Sequence, residues 1–227
     1  MHCHLLPGID DGCKTVEESL QVLDACIAQG IRWIAATPHY YSDVSVDEFL
    51  EQRQQAYERL REAMDPEKHY PEITLGADSG LVCEDRLAEL CYQGSHYLLL
   101  EMPFGKWTPN ILRDVESLSC SFGVTPVIAH IERYFKHIDK ALVQELMAMD
   151  VLIQCNAEFI LDGKLFPPAK RMLKNSGIHL LGSDCHGMRS RRENLGPAKD
   201  RILTWGLDAS LRQIGKTSIS VLSGEAL

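Results

Sequence analysis

Short apolar runs alternate with helix patterns along most of this chain, and nearly every run ends at a histidine or a carboxylate. Because each helix supplies the crossover that neighbouring parallel strands need, this alternation predicts a parallel sheet of seven strands. The first strand is a stub around His2. The other six runs cover residues 31–36, 73–76, 97–100, 124–129, 151–155 and 178–182.

Helix boundaries are marked by capping signals. Thr15-x-x-Glu18 and Ser45-x-x-Glu48 are capping boxes, and Thr108-Pro109 is a helix start that Gly123 terminates. Weaker patterns predict helices near residues 84–91, 140–149, 168–175, 197–204 and 209–214. The tail over residues 216–227 shows no catalytic pattern.

The residues at the strand ends are mostly metal-ligand types. His2 and His4 are two apart, so on an extended strand both imidazoles point to one face. Carboxyl ends of parallel strands meet at one edge, and a closed barrel brings all of them together, whereas an open doubly wound sheet gathers only those at its switch point. We therefore expect an α/β chain with one domain over residues 1–227, a distorted (β/α)7 TIM-like barrel. The candidate ligands are His2, His4, Asp11, His39, Asp78, Glu101, His130, Asp184 and His186.

Nine nitrogen and oxygen ligands are too many for one ion, so they predict about two to three divalent metals. Mixed imidazole and carboxylate ligands suit zinc, manganese or ferrous iron, and the absence of thiolates favours the harder ions. Such clusters activate water for phosphoester hydrolysis. Arg133 and Arg191 follow two of the ligands and are candidates for binding phosphate oxygens.

Composition excludes other classes. A net charge of −9 without a long Lys/Arg run argues against nucleic-acid or anionic-lipid partners. No apolar stretch is long enough to span a bilayer, so no membrane insertion is expected. The N-terminus shows no signal-peptide pattern, and we therefore expect a cytoplasmic protein. The eight cysteines are predicted to be reduced core residues: Cys3, Cys13, Cys26, Cys83, Cys91, Cys120, Cys155 and Cys185.

Four motifs in order resemble the PHP (polymerase and histidinol phosphatase) superfamily, over nearly the whole chain. Within it the chain is most similar to bacterial metal-dependent tyrosine phosphatases of capsule and exopolysaccharide operons. The motifs are His2-x-His4-x-x-Pro7-Gly8-Ile9-Asp10-Asp11-Gly12, Thr37-Pro38-His39, Ala129-His130-x-Glu132-Arg133 and Ser183-Asp184-x-His186.

The resemblance implies a trinuclear, usually manganese-loaded site that dephosphorylates phosphotyrosine on a partner tyrosine kinase. It implies that His2, His4 and Asp184 bind the first metal, Asp78 bridges to the second with Glu101 and His130, and Asp11, His39 and His186 bind the third. Arg133 and Arg191 would bind the phosphate. Asp10 is interpreted as a turn or helix-capping residue rather than a ligand, because Asp11 matches the motif and Asp-Gly favours turns.

The chain differs from the usual family pattern at two places. Position 78 is usually glutamate in these proteins, and the shorter Asp78 predicts that bridging needs a shift of the strand or the metals, or that one metal is lost. The family also usually carries several residues before the first histidine, so we expect the first strand to be incomplete.

Two further hypotheses keep the metals. One is a phosphatase of a small ester such as histidinol phosphate, and the other is a catalytically weak regulator that binds the kinase. The helix over residues 47–61 is interpreted as an exposed helix stabilised by charge pairs at i and i+4, or alternatively as a subunit contact, so a homo-oligomer is left open. Cys185 and Arg191 also match the C-x5-R pattern of cysteine-dependent phosphatases, but Cys185 lies between two candidate ligands, which argues against a nucleophilic thiolate.

Overall fold

Short parallel strands alternate with helices in the computed structural model, which describes residues 1–82, 85–189 and 191–225. Every strand pair within these ranges is parallel, as the alternation predicts. The strands are β1 Trp33–Ala36, β2 His39–Tyr40, β3 Glu72–Leu75, β4 Asp78–Gly80, β5 Tyr97–Glu101, β6 Thr125–Ile128, β7 Leu152–Asn156 and β8 Leu180–Gly182.

The strands form a six-stranded sheet, β2-β4-β5-β6-β7-β8, and a two-stranded sheet, β1-β3. Pro38 lacks an N–H and separates β1 from β2, but the register on both sides of it is the same. The Gly76 N–H donates to the Ala36 carbonyl and the Asp78 N–H donates to the Pro38 carbonyl, each over 2.9 Å. The two sheets are therefore one surface with a local interruption.

The predicted N-terminal strand is reduced to one bridge between Cys3 and Cys185. Its backbone is nevertheless bonded on both sides. The His4 N–H donates to the Cys185 carbonyl and the Thr37 N–H donates to the Cys3 carbonyl, each over 2.9 Å. The N-terminal residues thus lie between the chain that follows β8 and the chain that follows β1.

Buried side chains show how strongly the sheet curls. Ala35, Leu99, Val127 and Leu180 belong to one buried cluster although β1 and β8 are not adjacent to β5. The alternate residues of β5, Leu98 and Leu100, face the larger cluster instead. Both faces of the sheet are buried, as expected of parallel strands covered by helices. The fold is therefore α/β with a curled parallel sheet.

Capping signals located the first three α-helices correctly. The hydroxyls of Thr15 and Ser45 accept hydrogen bonds from the N–H of the third helical residue, and Gly123 ends its helix in the left-handed conformation. The helices are α1 Val16–Ala28, α2 Val46–Ala63, α3 Pro109–Phe122, α4 Lys140–Met147, α5 Ala157–Leu161, α6 Phe166–Lys174, α7 Leu195–Thr204 and α8 Asp208–Ser223.

Three local predictions were wrong or incomplete. The helix expected near residues 84–91 is a 3₁₀ helix, Leu87–Leu90, while Cys83 and Glu84 lie outside the described residues. A second 3₁₀ helix, Ile131–Lys136, and α5 were not predicted. Most of the tail that was expected over residues 216–227 belongs to the second half of α8.

The cysteine prediction holds with one exception. The seven cysteines in the described ranges are free thiols, but Cys120 on α3 is exposed rather than in the core. Cys83 lies outside those ranges. Among the described helices, none combines the length and apolar character that a bilayer span requires.

Candidate metal centre

The structure brings the nine predicted ligands together at the carboxyl edge of the curled sheet. His39 and Asp78 begin β2 and β4, Glu101 ends β5, and His130 lies two residues after the end of β6. The other ligands lie on the N-terminal segment and on the chain that follows β8: His2, His4, Asp11, Asp184 and His186. Residues up to 184 positions apart in sequence thus share one site because the sheet curls.

Three ligand atoms converge at the N-terminal histidines. Nε2 of His2 lies 3.0 Å from Nε2 of His4. Oδ1 of Asp184 lies 3.4 Å from each of these nitrogens. A separation of about 3 Å is what two adjacent ligands show when each is about 2.1 Å from one ion. His2, His4 and Asp184 could therefore hold a metal.

Asp78 lies at the middle of the cluster with a side chain that is 1% exposed. Its Oδ2 is 3.2 Å from Nε2 of His2, 3.3 Å from Nδ1 of His39 and 3.9 Å from Nε2 of His4. Burial by itself would raise the pKa of Asp78, but the surrounding imidazoles lower it well below the ordinary value. Asp78, although shorter than a glutamate, thus reaches both the N-terminal histidines and His39.

A second group lies at the open side of the cluster. Oδ1 of Asp11 is 3.2 Å from Nε2 of His186 and 3.6 Å from Nε2 of His39. Asp11 is 55% exposed, so this group faces solvent more than the others do. Burial, together with the charge of His4, lowers the pKa of His186 to about 4. The imidazole of His186 is therefore neutral near pH 7 and able to bind a metal.

Glu101 and His130 form the third part of the cluster. Oε1 of Glu101 is 3.0 Å from Nε2 of His130, and burial lowers the pKa of this histidine. Glu101 also lies with His39 and Asp78 in a set whose ligand atoms are all within 4.8 Å of one another. His130 is not in that set. This part of the site is the least convergent of the three.

Three imidazoles are oriented by acceptors at Nδ1. Nδ1 of His4 is 2.7 Å from Oδ2 of Asp10, that of His186 is 2.8 Å from the Asp184 carbonyl, and that of His2 is 3.4 Å from Oε1 of Gln154. Because these oxygens only accept, each Nδ1 carries a proton, and Nε2 is the nitrogen at which a metal could bind in place of a proton.

Asp10 does more than form the predicted turn. Its Oδ1 accepts from the Gly12 N–H over 2.9 Å, which is the turn contact, while Oδ2 accepts from His4 and from the His39 N–H. Burial opposes ionisation, but the hydrogen bond to His4 lowers the pKa of Asp10 to about 2. The same ion pair raises the pKa of His4 to about 10 against its burial. Asp10 is therefore a charged positioning residue.

Gln154 and Asn156 on β7 also support the cluster and were not identified from the sequence. Oε1 of Gln154 accepts from the His130 N–H over 2.8 Å. Its Nε2 donates to Oδ1 of Asn156 over 2.9 Å, and Nδ2 of Asn156 donates to Oδ2 of Asp184 over 3.2 Å. The only sequence signal for this pair is two amides alternating at the end of an apolar strand.

Arg133 and Arg191 lie beside the cluster, each about a third exposed. Both guanidinium groups contact Oδ2 of Asp184, and Arg191 is also 3.3 Å from Oδ2 of Asp11. In both Asp184 and Asp11, Oδ1 thus faces imidazoles and Oδ2 faces one or both arginines. This arrangement places cationic N–H donors at the rim of the metal centre, where a phosphate could bind.

The backbone at the site is held in an unusual conformation. Four non-glycine residues in the described ranges have positive φ, and three of them belong to the site: His130 (35°), Asp184 (50°) and Arg191 (43°). Each costs conformational energy that the surrounding contacts must offset. Such clustering is typical of functional sites rather than of ordinary turns.

The donor set fits divalent metals. Both carboxylate oxygens of Asp78, Nδ1 of His130 and Nε2 of His186 are buried without a hydrogen-bond partner among the described residues. Leaving such groups unpaired is costly, and a bound cation would satisfy them. The thiolate mechanism is not supported, because Cys185 is fully buried and its thiol donates to the Gly187 carbonyl.

Two curated relatives cover most of the chain. It is 27% identical to the tyrosine-protein phosphatase CpsB of Streptococcus agalactiae serotype III (strain NEM316), over 87% of this chain and 86% of that protein. It is 28% identical to the tyrosine-protein phosphatase YwqE of Bacillus subtilis (strain 168), over 84% of this chain and 78% of that protein.

A solved structure has the same fold. Its description names YwqE from Bacillus subtilis and CpsB from Streptococcus pneumoniae as unique metal-dependent tyrosine phosphatases. The match covers 100% of this chain and 94% of the solved chain, with a TM-score of 0.83 and 24% sequence identity. The profile of the family described as capsular polysaccharide synthesis, CpsB/CapC, matches residues 1–210. The chain therefore belongs to the CpsB/CapC family of capsular polysaccharide synthesis.

Proposed function

We propose that this protein is a metal-dependent phosphotyrosine-protein phosphatase that acts on a bacterial tyrosine kinase controlling capsular or exopolysaccharide synthesis. The observation that carries the proposal is the buried Asp78 carboxylate, which has no hydrogen-bond partner among the described residues and is surrounded by imidazoles, with two arginines at the rim. The names of the two curated relatives support the reaction class. The family supports the link to capsule synthesis.

The finer architecture is part of this proposal. We infer one phosphatase domain over residues 1–227, built as a distorted (β/α)7 barrel of the PHP type. The hydrogen bonds of the Cys3 segment to the chain on both sides support closure of the sheet. A cytoplasmic location is part of the same proposal, since its protein substrate would carry phosphotyrosine made by an intracellular kinase domain.

The site would hold about two to three divalent metals, with manganese as the preferred ion and iron or zinc as alternatives. The first would be held by His2, His4 and Asp184, and the second by Glu101 and His130, with Asp78 between them. The remaining ligands, Asp11, His39 and His186, would hold a third. The proximity of these side chains supports the assignment.

Bound metals would supply positive charge and a water acidic enough to act as the nucleophile near neutral pH. The protein residues bind and orient the ester. Arg133 and Arg191 donate N–H groups to the phosphate oxygens and are held in place by Asp184. In the overall hydrolysis the oxygen of water would bond to phosphorus, the bond from phosphorus to the tyrosine oxygen would break, and the proton lost by the water would be balanced by the one gained by the tyrosine oxygen, which gives inorganic phosphate and tyrosine.

A substrate panel tests this function against its two alternatives. Full-length protein would be assayed with a phosphotyrosine peptide, a phosphoserine peptide and histidinol phosphate, with added manganese and after exhaustive chelation. We expect the phosphotyrosine peptide to be preferred and its turnover to stop on chelation. Preference for histidinol phosphate would indicate the small-ester phosphatase. Negligible turnover at full metal occupancy, with measurable binding of the kinase, would indicate a regulator.

A further inference from the structure

A large groove opens beside the metal centre, between the second 3₁₀ helix and helices α4, α5 and α6. Its volume is about 1030 Å³, and most of its surface is apolar. Side chains from all four helices line it: Phe135, Val143, Met147, Phe159, Leu165 and Met172. A small phosphate ester bound at the metal cluster would leave this volume unused, so the groove calls for a larger ligand.

The groove is continuous with the metal centre. Arg133 and Asn156 line the groove, and both contact Oδ2 of Asp184. Phe104 lines the same groove, is 54% exposed and stacks on the ring of His130 at 5.9 Å and 22°. A ligand with its phosphate on Arg133 would therefore extend past Phe104 into the groove.

The side chains that line the groove are suited to an apolar ligand. Phe135 is 38% exposed and packs edge-on against Phe159 at 6.0 Å. Met147 and Met172 add two unbranched side chains that adapt to ligands of different shape. An exposed aromatic ring beside adaptable methionines is typical of surfaces that bind apolar side chains.

The charges at the groove favour a polypeptide without strong positive charge. Lys136, Lys140 and Arg171 line it, and none of them makes an ion pair with a described residue. The carboxylates of Glu158 and Asp162 are also present. Unpaired cations in a chain of net charge −9 are suited to a neutral or acidic ligand segment.

We propose that this groove binds the polypeptide segment next to the phosphotyrosine, with an apolar flanking side chain on Phe135, Met147 and Met172. The inference rests on the proposed phosphatase function and names a sequence preference for the same site. It assigns recognition of the flanking residues to the second 3₁₀ helix and to helices α4 to α6, which contribute none of the nine metal ligands. The phosphate itself stays with the metals and the two arginines.

Two phosphopeptides of equal length and charge test the groove. One carries leucine and valine on both sides of the phosphotyrosine, and the other carries glycine and serine. With the full-length, manganese-loaded protein we expect kcat/KM for the apolar peptide to be about tenfold higher, mainly through a lower KM. Phe135→Asp should bring the ratio between the two peptides close to one.

Ile219→Asp on α8 is the matched control, since Ile219 is 47% exposed, similar to Phe135, and does not line the groove. It should keep the wild-type ratio. The readout is the ratio of the two kcat/KM values measured on the same protein sample. A partial loss of folded enzyme lowers both values equally and therefore does not change the ratio. The comparison of the two peptides with the wild-type protein requires no variant.

Equal kcat/KM for the two peptides in the wild-type protein would overturn the inference, and so would a preference that Phe135→Asp leaves intact. Sedimentation velocity provides a third outcome. If the wild-type protein is an oligomer that Phe135→Asp dissociates, the groove binds a second copy of the chain and the inference is wrong. Failure of the wild-type protein to hydrolyse either peptide or free phosphotyrosine would instead refute the proposed function.

Discussion

At the scale of single residues, Asp78 decides whether the centre works with a shorter carboxylate. Its side chain reaches the imidazoles of His2, His4 and His39, and neither of its oxygens has a hydrogen-bond partner among the described residues. The side chain at position 78 therefore lies among the imidazoles of the cluster although it is an aspartate. We infer that Asp78 serves as a ligand rather than marking a lost site.

The first prediction concerns Asp78→Asn, which removes the charge at nearly constant volume. Metal binding should weaken by more than about a hundredfold and turnover of phosphotyrosine should fall in parallel, because this carboxylate lies between the ligand groups. Metal content after gel filtration measures the effect. Asp150→Asn, which changes an exposed carboxylate after α4, should bind metal like the wild type. Full occupancy in Asp78→Asn would show that Asp78 is not a ligand.

The second prediction concerns Asp10, which contacts His4 rather than the metals. Asp10→Asn keeps the turn but removes the charge that holds Nδ1 of His4. Manganese affinity should fall by about ten- to a hundredfold, the effect typical of a residue that orients a ligand. Titration calorimetry with manganese measures it. An unchanged dissociation constant would leave Asp10 with the turn role alone.

The sequence indicated the ligand types but not the residues that orient them. His, Asp and Glu at strand ends stand out because they are costly to bury unpaired. Gln154 and Asn156 are neutral amides without a metal preference, so only their three-dimensional contacts with His130 and Asp184 reveal their role. Asp10 was predicted only as a turn residue because turn and orienting roles use the same side chain.

At the scale of secondary structure, helices with a local start or stop signal were predictable, and the two short helices that follow β6 and β7 were not. The capping hydroxyls of Thr15 and Ser45 and the left-handed Gly123 fix their helices locally. The five-residue α5 and the second 3₁₀ helix have no side-chain cap. They depend on tertiary contacts, which sequence periodicity does not show.

The end of α8 illustrates the same limit. The predicted helix stopped at residue 214, before Gly215, yet α8 continues to Ser223. Glycine in a helix costs about 1 kcal/mol. Burial of Ile214, Thr217 and Val221 on one face outweighs this cost, because each apolar side chain that becomes buried contributes about 1.5–3 kcal/mol. The curled sheet that receives this face could not be read from the local sequence.

The third prediction concerns the turn after the first two ligands. A Cβ at Gly12 would overlap the carbonyl oxygen and Cβ of His4. Gly12→Ala should therefore displace His4, destabilise the fold by about 1–3 kcal/mol and weaken manganese binding. Denaturant unfolding with and without manganese measures both effects. Gly163→Ala is the control, since its Cβ would meet nothing within 4 Å. Wild-type metal affinity in Gly12→Ala would contradict the close approach.

At the scale of the whole molecule, buried thiols link stability to alkaline pH. Burial raises the pKa of Cys91 from 9.0 to about 12. Above pH 9 the unfolded chain releases this proton while the folded chain keeps it, so the stability present below pH 9 is lost as the pH rises towards 12. The loss is about 1.4 kcal/mol per pH unit for each such thiol.

The fourth prediction follows from this linkage. Cys91→Ala removes the thiol, so its free energy of unfolding should decline less steeply between pH 9 and 11 than that of the wild type, by about 1.4 kcal/mol per pH unit. Urea unfolding at several pH values measures the slopes. Cys120→Ala, at an exposed position, should follow the wild type. Equal slopes for the wild type and Cys91→Ala would show that this thiol ionises in the folded protein.

The curled sheet brings nine side chains that are scattered along the sequence together into one centre. Elemental analysis of protein purified without chelator, paired with phosphotyrosine-peptide hydrolysis with and without manganese, tests whether this centre binds metals and uses them. We predict about two to three divalent ions per chain, turnover stimulated by manganese and loss of turnover on chelation. Less than one ion per chain, or turnover that survives complete chelation, would contradict it.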